Sequence, residues 1–179
     1  TNLLAENKLP AVGKIVFVMD TDMVFLQRLE LPPMPQAELQ EALKWEAQEY
    51  VPFADGSYCM DFVAVQKDDN MQSVLLGAMP QEVLERLREI SSRLKLDLLA
   101  VTALPLAQAA FLQQEQSNFL LAEENQGSVS LTAFIDGMPV IVQQAAAEIA
   151  SVEEEITVLT ETIRQKYNIQ LRDIFYTDR

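Results

Sequence analysis

The chain has 179 residues, of which 49% are hydrophobic and 22% are charged, as expected of a folded protein with a sizeable core. Its net charge of −14 repels nucleic-acid phosphates and anionic lipid headgroups, so we favour a basic protein partner unless the acidity serves solubility alone. No apolar run reaches the roughly 18–20 residues that a membrane helix needs, so we expect no direct membrane insertion.

Strand-like and helix-like patterns alternate through the first two-thirds of the chain. Two β-rich runs flank the polar residues Asp20 and Asp22, which predicts a hairpin turn. The order ββαββαβα predicts an α+β layer that resembles a ferredoxin-like half. The predicted elements are strands at 14–19 and 24–31, a helix at 35–50, strands at 58–66 and 71–79, a helix after Pro80, a buried strand at 97–101 and a helix near 104–112.

A linker-like polar tract at 113–118 predicts a boundary between two domains, 1–116 and 117–179. Beyond it, three β-rich runs form a predicted meander, in which Asp136 and Gly137 supply a tight turn. A helix over 151–167 follows, with acids in its first turn and bases in its last, as the helix dipole favours. With a last strand near 173–176, the second domain has the order βββαβ.

The predicted helix at 35–50 carries an unusual pair of adjacent side chains. Glu46 lies within the apolar stripe, where a carboxylate needs a partner, whereas Trp45, the single tryptophan, points away from that stripe. This pair predicts a contact surface, although Trp45 could instead pack under a loop while Glu46 pairs with an arginine. The stripe is Leu39, Ala42, Leu43, Ala47 and Tyr50. The predicted partner-binding residues are Trp45, Glu46, Tyr50, Pro52 and Phe53.

The residues that commonly carry chemistry are scarce. There is no histidine, and the single cysteine, Cys59, can form neither an internal disulfide nor a thiolate zinc site. No nucleophile elbow, Walker loop or Gly-x-Gly-x-x-Gly motif is present. We therefore predict no catalytic residues and no metal site. A hydrolase that uses Asp20 and Asp22 is the alternative, although paired carboxylates are more typical of solvated turns.

The stretch 31–53 resembles a known family. It reads Leu-Pro-Pro-Met-Pro, an acidic helix and then Trp-Glu-Ala-x-x-Tyr-Val-Pro-Phe, and a strand with Asp61 follows. This order is similar to the signature of PilM, the actin-like proteins of type IV pilus assembly. The resemblance implies a ferredoxin-like αβ subdomain, similar to the family's subdomain 1C, followed by part of an actin-like (RNase H-like) βββαβ subdomain. It also implies that the family's first phosphate motif and its C-terminal part lie outside this chain.

The same resemblance implies recruitment rather than chemistry. PilM proteins are non-enzymatic scaffolds at the cytoplasmic face of the inner membrane, and they communicate with the assembly ATPases. They hold the short cytoplasmic tail of PilN, a membrane-anchored protein, in a cleft beside the subdomain that carries the helical motif. The cytoplasmic L-type subunit of type II secretion systems is the alternative within this class, but the stretch 45–53 favours PilM.

The resemblance also has implications for ATP binding. Family members that bind ATP grip its phosphates with two glycine-containing hairpins, each opened by an aspartate. At the second hairpin this chain keeps Gly127 and Ser128, but Glu123 replaces the aspartate and lies four residues before the glycine. We predict a degenerate phosphate loop of Glu123, Gly127 and Ser128, with no cofactor in this chain. ATP with magnesium in a full-length parent is left open.

Overall fold

A computed structural model of the chain describes residues 13–66, 70–112, 118–125, 128–146 and 152–178. Most of the predicted linker, residues 113–117, lies outside these ranges, so the division into two domains stays a prediction. Within them, no helix is both long enough and apolar enough to cross a membrane. The elements are β1 (Gly13–Met19), β2 (Phe25–Leu31), α1 (Gln36–Tyr50), β3 (Tyr58–Gln66), β4 (Gln72–Pro80), α2 (Gln81–Leu94), β5 (Leu96–Ala103), α3 (Leu104–Leu112), β6 (Phe119–Asn125), β7 (Ser128–Ile135), β8 (Met138–Ala146), α4 (Val152–Tyr167) and β9 (Asp173–Asp178).

The first α+β layer is a three-stranded antiparallel sheet in the order β2-β4-β3, with α1 packed on one of its faces. Leu43 of α1 packs against Leu29 of β2 and Val74 of β4, while Ala47 packs against Leu76. These residues are buried, and they recur every second position along the strands and every fourth position along the helix. The apolar residues that recur at helix and strand spacing in the sequence therefore pack together in one shared core.

The predicted hairpin between β1 and β2 is wrong. The amide of Met23 donates to the carbonyl of Asp20 at 3.0 Å, so the chain does turn there. However, β1 pairs in parallel with β5, and β2 pairs in antiparallel with β4. In a complete ferredoxin-like sheet the last strand would lie beside β2. Here the last strand, β5, forms its ladder with β1 instead.

The strand predicted to be buried at 97–101 is partly exposed. Its pairing with β1 shifts between Ile15 and Val16, which leaves Leu99 as an extra, bulged residue that is 61% exposed. Val16 and Val18 of β1 are also exposed. The expectation of full burial fails because β5 has one strand neighbour among the described residues, and a two-stranded ladder cannot cover both of its own faces.

The C-terminal sheet has the order β8-β7-β6-β9 and confirms the predicted βββαβ sequence of elements. Asp136 and Gly137 both have positive φ, 52° and 73°, as a two-residue hairpin turn between β7 and β8 requires. Leu159 and Ile163 of α4 cover one face of this sheet. On the other face Phe119 stacks on Phe134 with ring centroids 4.5 Å apart, and this cluster packs against α3.

A buried arginine ties the two sheets together. The Arg28 side chain is only 4% exposed, and its guanidinium bonds Glu30 at 3.0 Å within its own strand. It also donates to the Ser73 hydroxyl at 3.0 Å and to the backbone carbonyl of Ile135 at 2.9 Å. Asp136 lies 3.9 Å from the same guanidinium. One side chain thus holds β2 and β4 against the β7–β8 turn.

Replacing Arg28 with methionine should lower the free energy of unfolding by about 1–3 kcal/mol, because Ser73 and the Ile135 carbonyl lose their buried donor. Urea unfolding followed by circular dichroism measures this change. Arg164→Met is the matched control, since Arg164 pairs with Glu161 on the exposed surface of α4 and should matter little. Equal, small effects of the two substitutions would contradict the role assigned to Arg28.

Candidate functional site

Helix α1 is bounded by prolines, and this sets where its outer face begins and ends. The carbonyl of Pro35 accepts from the amide of Leu39 at 2.9 Å, and no side chain caps this end. At the other end Val51 has extended backbone angles, φ −72° and ψ 123°, as the residue before Pro52 prefers. The helix stops there, and the chain turns toward β3.

Trp45 lies on the outer face of α1, as predicted. It projects about 160° away from the buried Leu43 around the helix axis. Its side chain is 73% exposed, so the alternative in which it packs under a loop is wrong. Glu46 is half-buried, and within the described ranges it forms no ion pair with an arginine. Whether these two residues bind a partner stays a prediction.

The other predicted contact residues divide between surface and core. Tyr50 is exposed rather than buried, because Val51 and Phe53 fill the space beneath the end of α1. The Phe53 ring packs on the core and lies 6.4 Å from the ring of Tyr58. Pro52 is exposed. Phe53 therefore anchors the helix exit, and Tyr50 and Pro52 share the surface with Trp45.

A large apolar cavity lies on the opposite face of the same sheet. It is partly open to solvent, has a volume of about 680 Å³ and is lined mainly by β3, β4, α2 and β5. Val63, Leu75 and Leu98 form apolar walls, while Asp61 and Arg88 contribute one charge of each sign. None of the five predicted contact residues lines it. The two surfaces are separate because alternate strand residues point to opposite faces, and α1 packs on the other one.

The sequence contains a signal for this cavity that our prediction missed. In β3 apolar residues occur on both faces: Met60 and Phe62 point toward α1, whereas Cys59 and Val63, with Asp61 between them, point away from it. A strand with one face in water alternates apolar and polar residues, so apolar residues on both faces indicate two covered or binding faces. The sequence prediction considered only the face on which α1 packs.

The single cysteine is part of the cavity wall. The Cys59 thiol is half-buried and lies 3.6 Å from the carbonyl of Met79, to which it donates. Burial raises the pKa of the Cys59 thiol above its ordinary value, although nearby Arg88 opposes this shift. Cys59 is therefore a packed thiol with little thiolate character.

A second, smaller cavity of about 110 Å³ is polar and brings together residues that the sequence analysis treated separately. Glu123 and Ser128, from the predicted phosphate loop, line it together with Asp20 and Asp22 from the turn after β1. Gly127 lies outside the described residues. Glu123 is buried and accepts a hydrogen bond from the amide of Gln108 at 3.2 Å.

The described lining of this polar cavity fits phosphate poorly. Three carboxylates face the same small space, and its described wall has no lysine or arginine. Anionic phosphates bind where backbone amides and cations converge, so these carboxylates would repel them. Across the described ranges, no group of three or more acidic or cysteine side chains is arranged to hold a metal ion. Nucleotide binding by the full-length parent stays untested, and a degenerate loop stays the prediction.

The solved structures that resemble this one include the following three. A chain of the PilM–PilN type IV pilus biogenesis complex matches 94% of this chain with 25% sequence identity and a TM-score of 0.66, over 51% of its own length. The cytoplasmic domain of EpsL, an inner membrane component of the type II secretion system of Vibrio cholerae, matches 92% of this chain with 10% identity and a TM-score of 0.56, over 65% of its length. A Bacteroides thetaiotaomicron protein of unknown function with an actin-like ATPase fold matches 92% with 12% identity and a TM-score of 0.51, over 59% of its length.

The fold is therefore PilM-like and comprises part of an actin-like fold, which confirms the resemblance carried by residues 31–53 and the predicted α+β class. The likenesses at 10% and 12% identity show the fold alone. The chain spans about half the length of the PilM–PilN complex chain that it matches. No protein-family model matches the sequence, and no curated protein matches it.

Cys59 should react with iodoacetamide more slowly than a free thiol, because its raised pKa leaves a smaller thiolate fraction at a given pH. The alkylation rate, followed by mass spectrometry between about pH 7 and 10, should rise at higher pH than in the urea-unfolded chain. The unfolded chain is the control, since its thiol regains ordinary solvation. A folded pKa at or below the unfolded value would contradict the packed environment of this thiol.

Proposed function

We propose that this chain is part of a non-enzymatic scaffold of type IV pilus assembly that binds the short cytoplasmic tail of a PilN-like inner-membrane protein. The observation that carries the proposal is the match, over 94% of the chain, to a structure of the PilM–PilN complex. In this proposal the protein lies in the cytoplasm and reaches the inner membrane through its partners. An assembly ATPase is a further proposed partner, because PilM proteins communicate with such motors.

The apolar cavity is the better of the two surfaces for the tail. Its volume of about 680 Å³ accommodates several side chains of an extended peptide. Strand β3, which forms one wall, pairs only with β4 among the described residues, so its outer edge is available to an added strand. Val63 and Leu75 would anchor apolar residues of the tail, and main-chain hydrogen bonds would set its direction.

Charge supports the same assignment. The chain carries a net charge of −14, so a tail with lysine or arginine residues would be attracted before contact and would associate faster. Asp61 at the cavity wall places one acid beside the apolar surface. Arg88 of α2 would favour an acidic residue or a carbonyl group of the tail.

Substituting Val63 with glutamine should weaken tail binding about tenfold or more, since a polar group would replace an apolar wall of the cavity. Calorimetric titration of the full-length parent with the tail peptide of the PilN-like protein encoded beside it measures this. Val158→Gln is the control, because Val158 on α4 is 57% exposed and Val63 is 53% exposed. A bound tail should also shield Cys59, another cavity residue, from alkylation.

Three other results would contradict the assignment of the tail to the apolar cavity. Failure of the tail to bind the unsubstituted protein would overturn the proposed function. Loss of binding on Trp45→Ala, by about 1–3 kcal/mol, with Val63→Gln unaffected, would place the tail on α1, as the sequence alone predicted. Equal losses for Val63→Gln and Val158→Gln would mean that neither valine marks the site.

An ATP-binding protein is the candidate from a different class, and the actin-like ATPase fold of one similar structure is the observation that keeps it. The three carboxylates of the polar cavity count against it. Titrating the full-length parent with ATP and magnesium decides the matter. Tight binding that Ser128→Ala weakens would show that the loop at 123–128 works. If ATP did not bind, the ATP-binding candidate would be excluded and the proposed scaffold function would remain.

A further inference from the structure

The outer face of α1 combines one large aromatic side chain with several acids. Around Trp45, within an arc of about 100°, lie Glu38, Glu41 and Glu49, all of them exposed. The one base of the helix, Lys44, bonds Glu41 at 2.5 Å and leaves the other two acids without a cation from their own helix. We call this set of four residues, Glu38, Glu41, Trp45 and Glu49, the Trp45 surface.

Glu38 lies in the first turn of α1, where the helix dipole favours an anion, but other charges of this helix do not serve its stability. Glu49 lies in the last turn, where the helix dipole disfavours an anion, and no base occupies that turn. Glu38 and Glu41 are one turn apart, so they repel each other. Helix α4 of the same chain shows the favourable arrangement, with three acids in its first turn and Arg164 and Lys166 in its last. The position of Glu49 and the close spacing of Glu38 and Glu41 therefore need another explanation.

The exposure of Trp45 is a second, independent feature that does not stabilise the fold. A tryptophan that is 73% exposed forgoes the burial that usually accounts for its presence in a fold. Tryptophan is also among the residues that most often dominate binding energy at protein interfaces. An exposed indole ringed by carboxylates matches a cationic side chain, because the ring face attracts cations and the acids pair with them.

The Trp45 surface and the apolar cavity cannot share one short ligand. α1 packs on one face of the β2-β4-β3 sheet, and the cavity lies on the other, so the sheet itself separates them. A tail that occupies the cavity leaves Trp45 uncovered. This second surface is therefore available to a second partner.

We propose that the Trp45 surface docks a basic segment of another protein, distinct from the tail in the cavity. Arginine or lysine side chains of that segment pair with Glu38, Glu41 and Glu49, and one of them stacks on the indole of Trp45. Charge selects this occupant. A second copy of the chain would also carry −14, and nucleic acids and anionic membranes would be repelled as well.

The single tryptophan makes the test direct, because all tryptophan fluorescence of this chain comes from Trp45. The probe is a synthetic amphipathic peptide of arginine and leucine, titrated by fluorescence and by calorimetry. We expect a shift of the emission on binding and an affinity that falls about tenfold on Trp45→Ala. Glu41→Gln combined with Glu49→Gln should weaken binding by about fivefold or more, and this variant keeps the test valid if Trp45→Ala disturbs folding.

The matched control removes the same charge elsewhere. Glu153→Gln with Glu154→Gln, on the first turn of α4, changes the net charge equally and should alter the affinity less than about twofold. Saturating the cavity with the PilN-like tail should leave peptide affinity unchanged, which separates this proposal from the proposed function. Failure of the peptide to bind, or equal losses in both pairs of glutamine variants, would overturn the proposal. Concentration-dependent self-association that Trp45→Ala abolishes would overturn it too, since the occupant would then be a second copy.

Discussion

The burial of β4 on both faces is the constraint on which the rest of the N-terminal layer depends. Val74 and Leu76 point into the core beneath α1, while Leu75 and Met79 point into the opposite cavity. A strand that is apolar on both sides needs a cover on each, and α1 and α2 with β5 supply them. The two candidate interaction surfaces lie back to back for this reason, so the same strand supports both without allowing them to merge.

The joint between the two sheets rests on polar contacts rather than on a large shared apolar core. Arg28 reaches from β2 to the carbonyl of Ile135, and the Thr21 hydroxyl lies 3.2 Å from that of Ser130. Such contacts are directional, so they hold one relative orientation of the sheets while each sheet keeps its own core. In the proposed scaffold, this joint would keep the two sheets in a defined orientation when a peptide binds beside one of them.

The proposed function of this chain lies in surfaces rather than in reactive groups. Glu123 is buried and bonded to Gln108, while Asp20 begins a turn. The apolar cavity and the Trp45 surface both suit peptides, one through apolar anchors and free strand edges, the other through an indole and acids. In the two proposals made above, one surface would hold a membrane-anchored partner and the other a second partner.

Local sequence patterns determined the order and type of the elements, the outward direction of Trp45 and the turn at Asp136 and Gly137, because helix and strand periods and turn preferences act over a few residues. The motif at 31–53 also identified the PilM-like fold. Only the tertiary structure decided that β1 pairs with β5, that Asp20 and Asp22 meet Glu123, and that a cavity lies opposite Trp45. These features depend on strands far apart in the chain, and their pairing is chosen by the burial of whole sheets rather than by any local pattern.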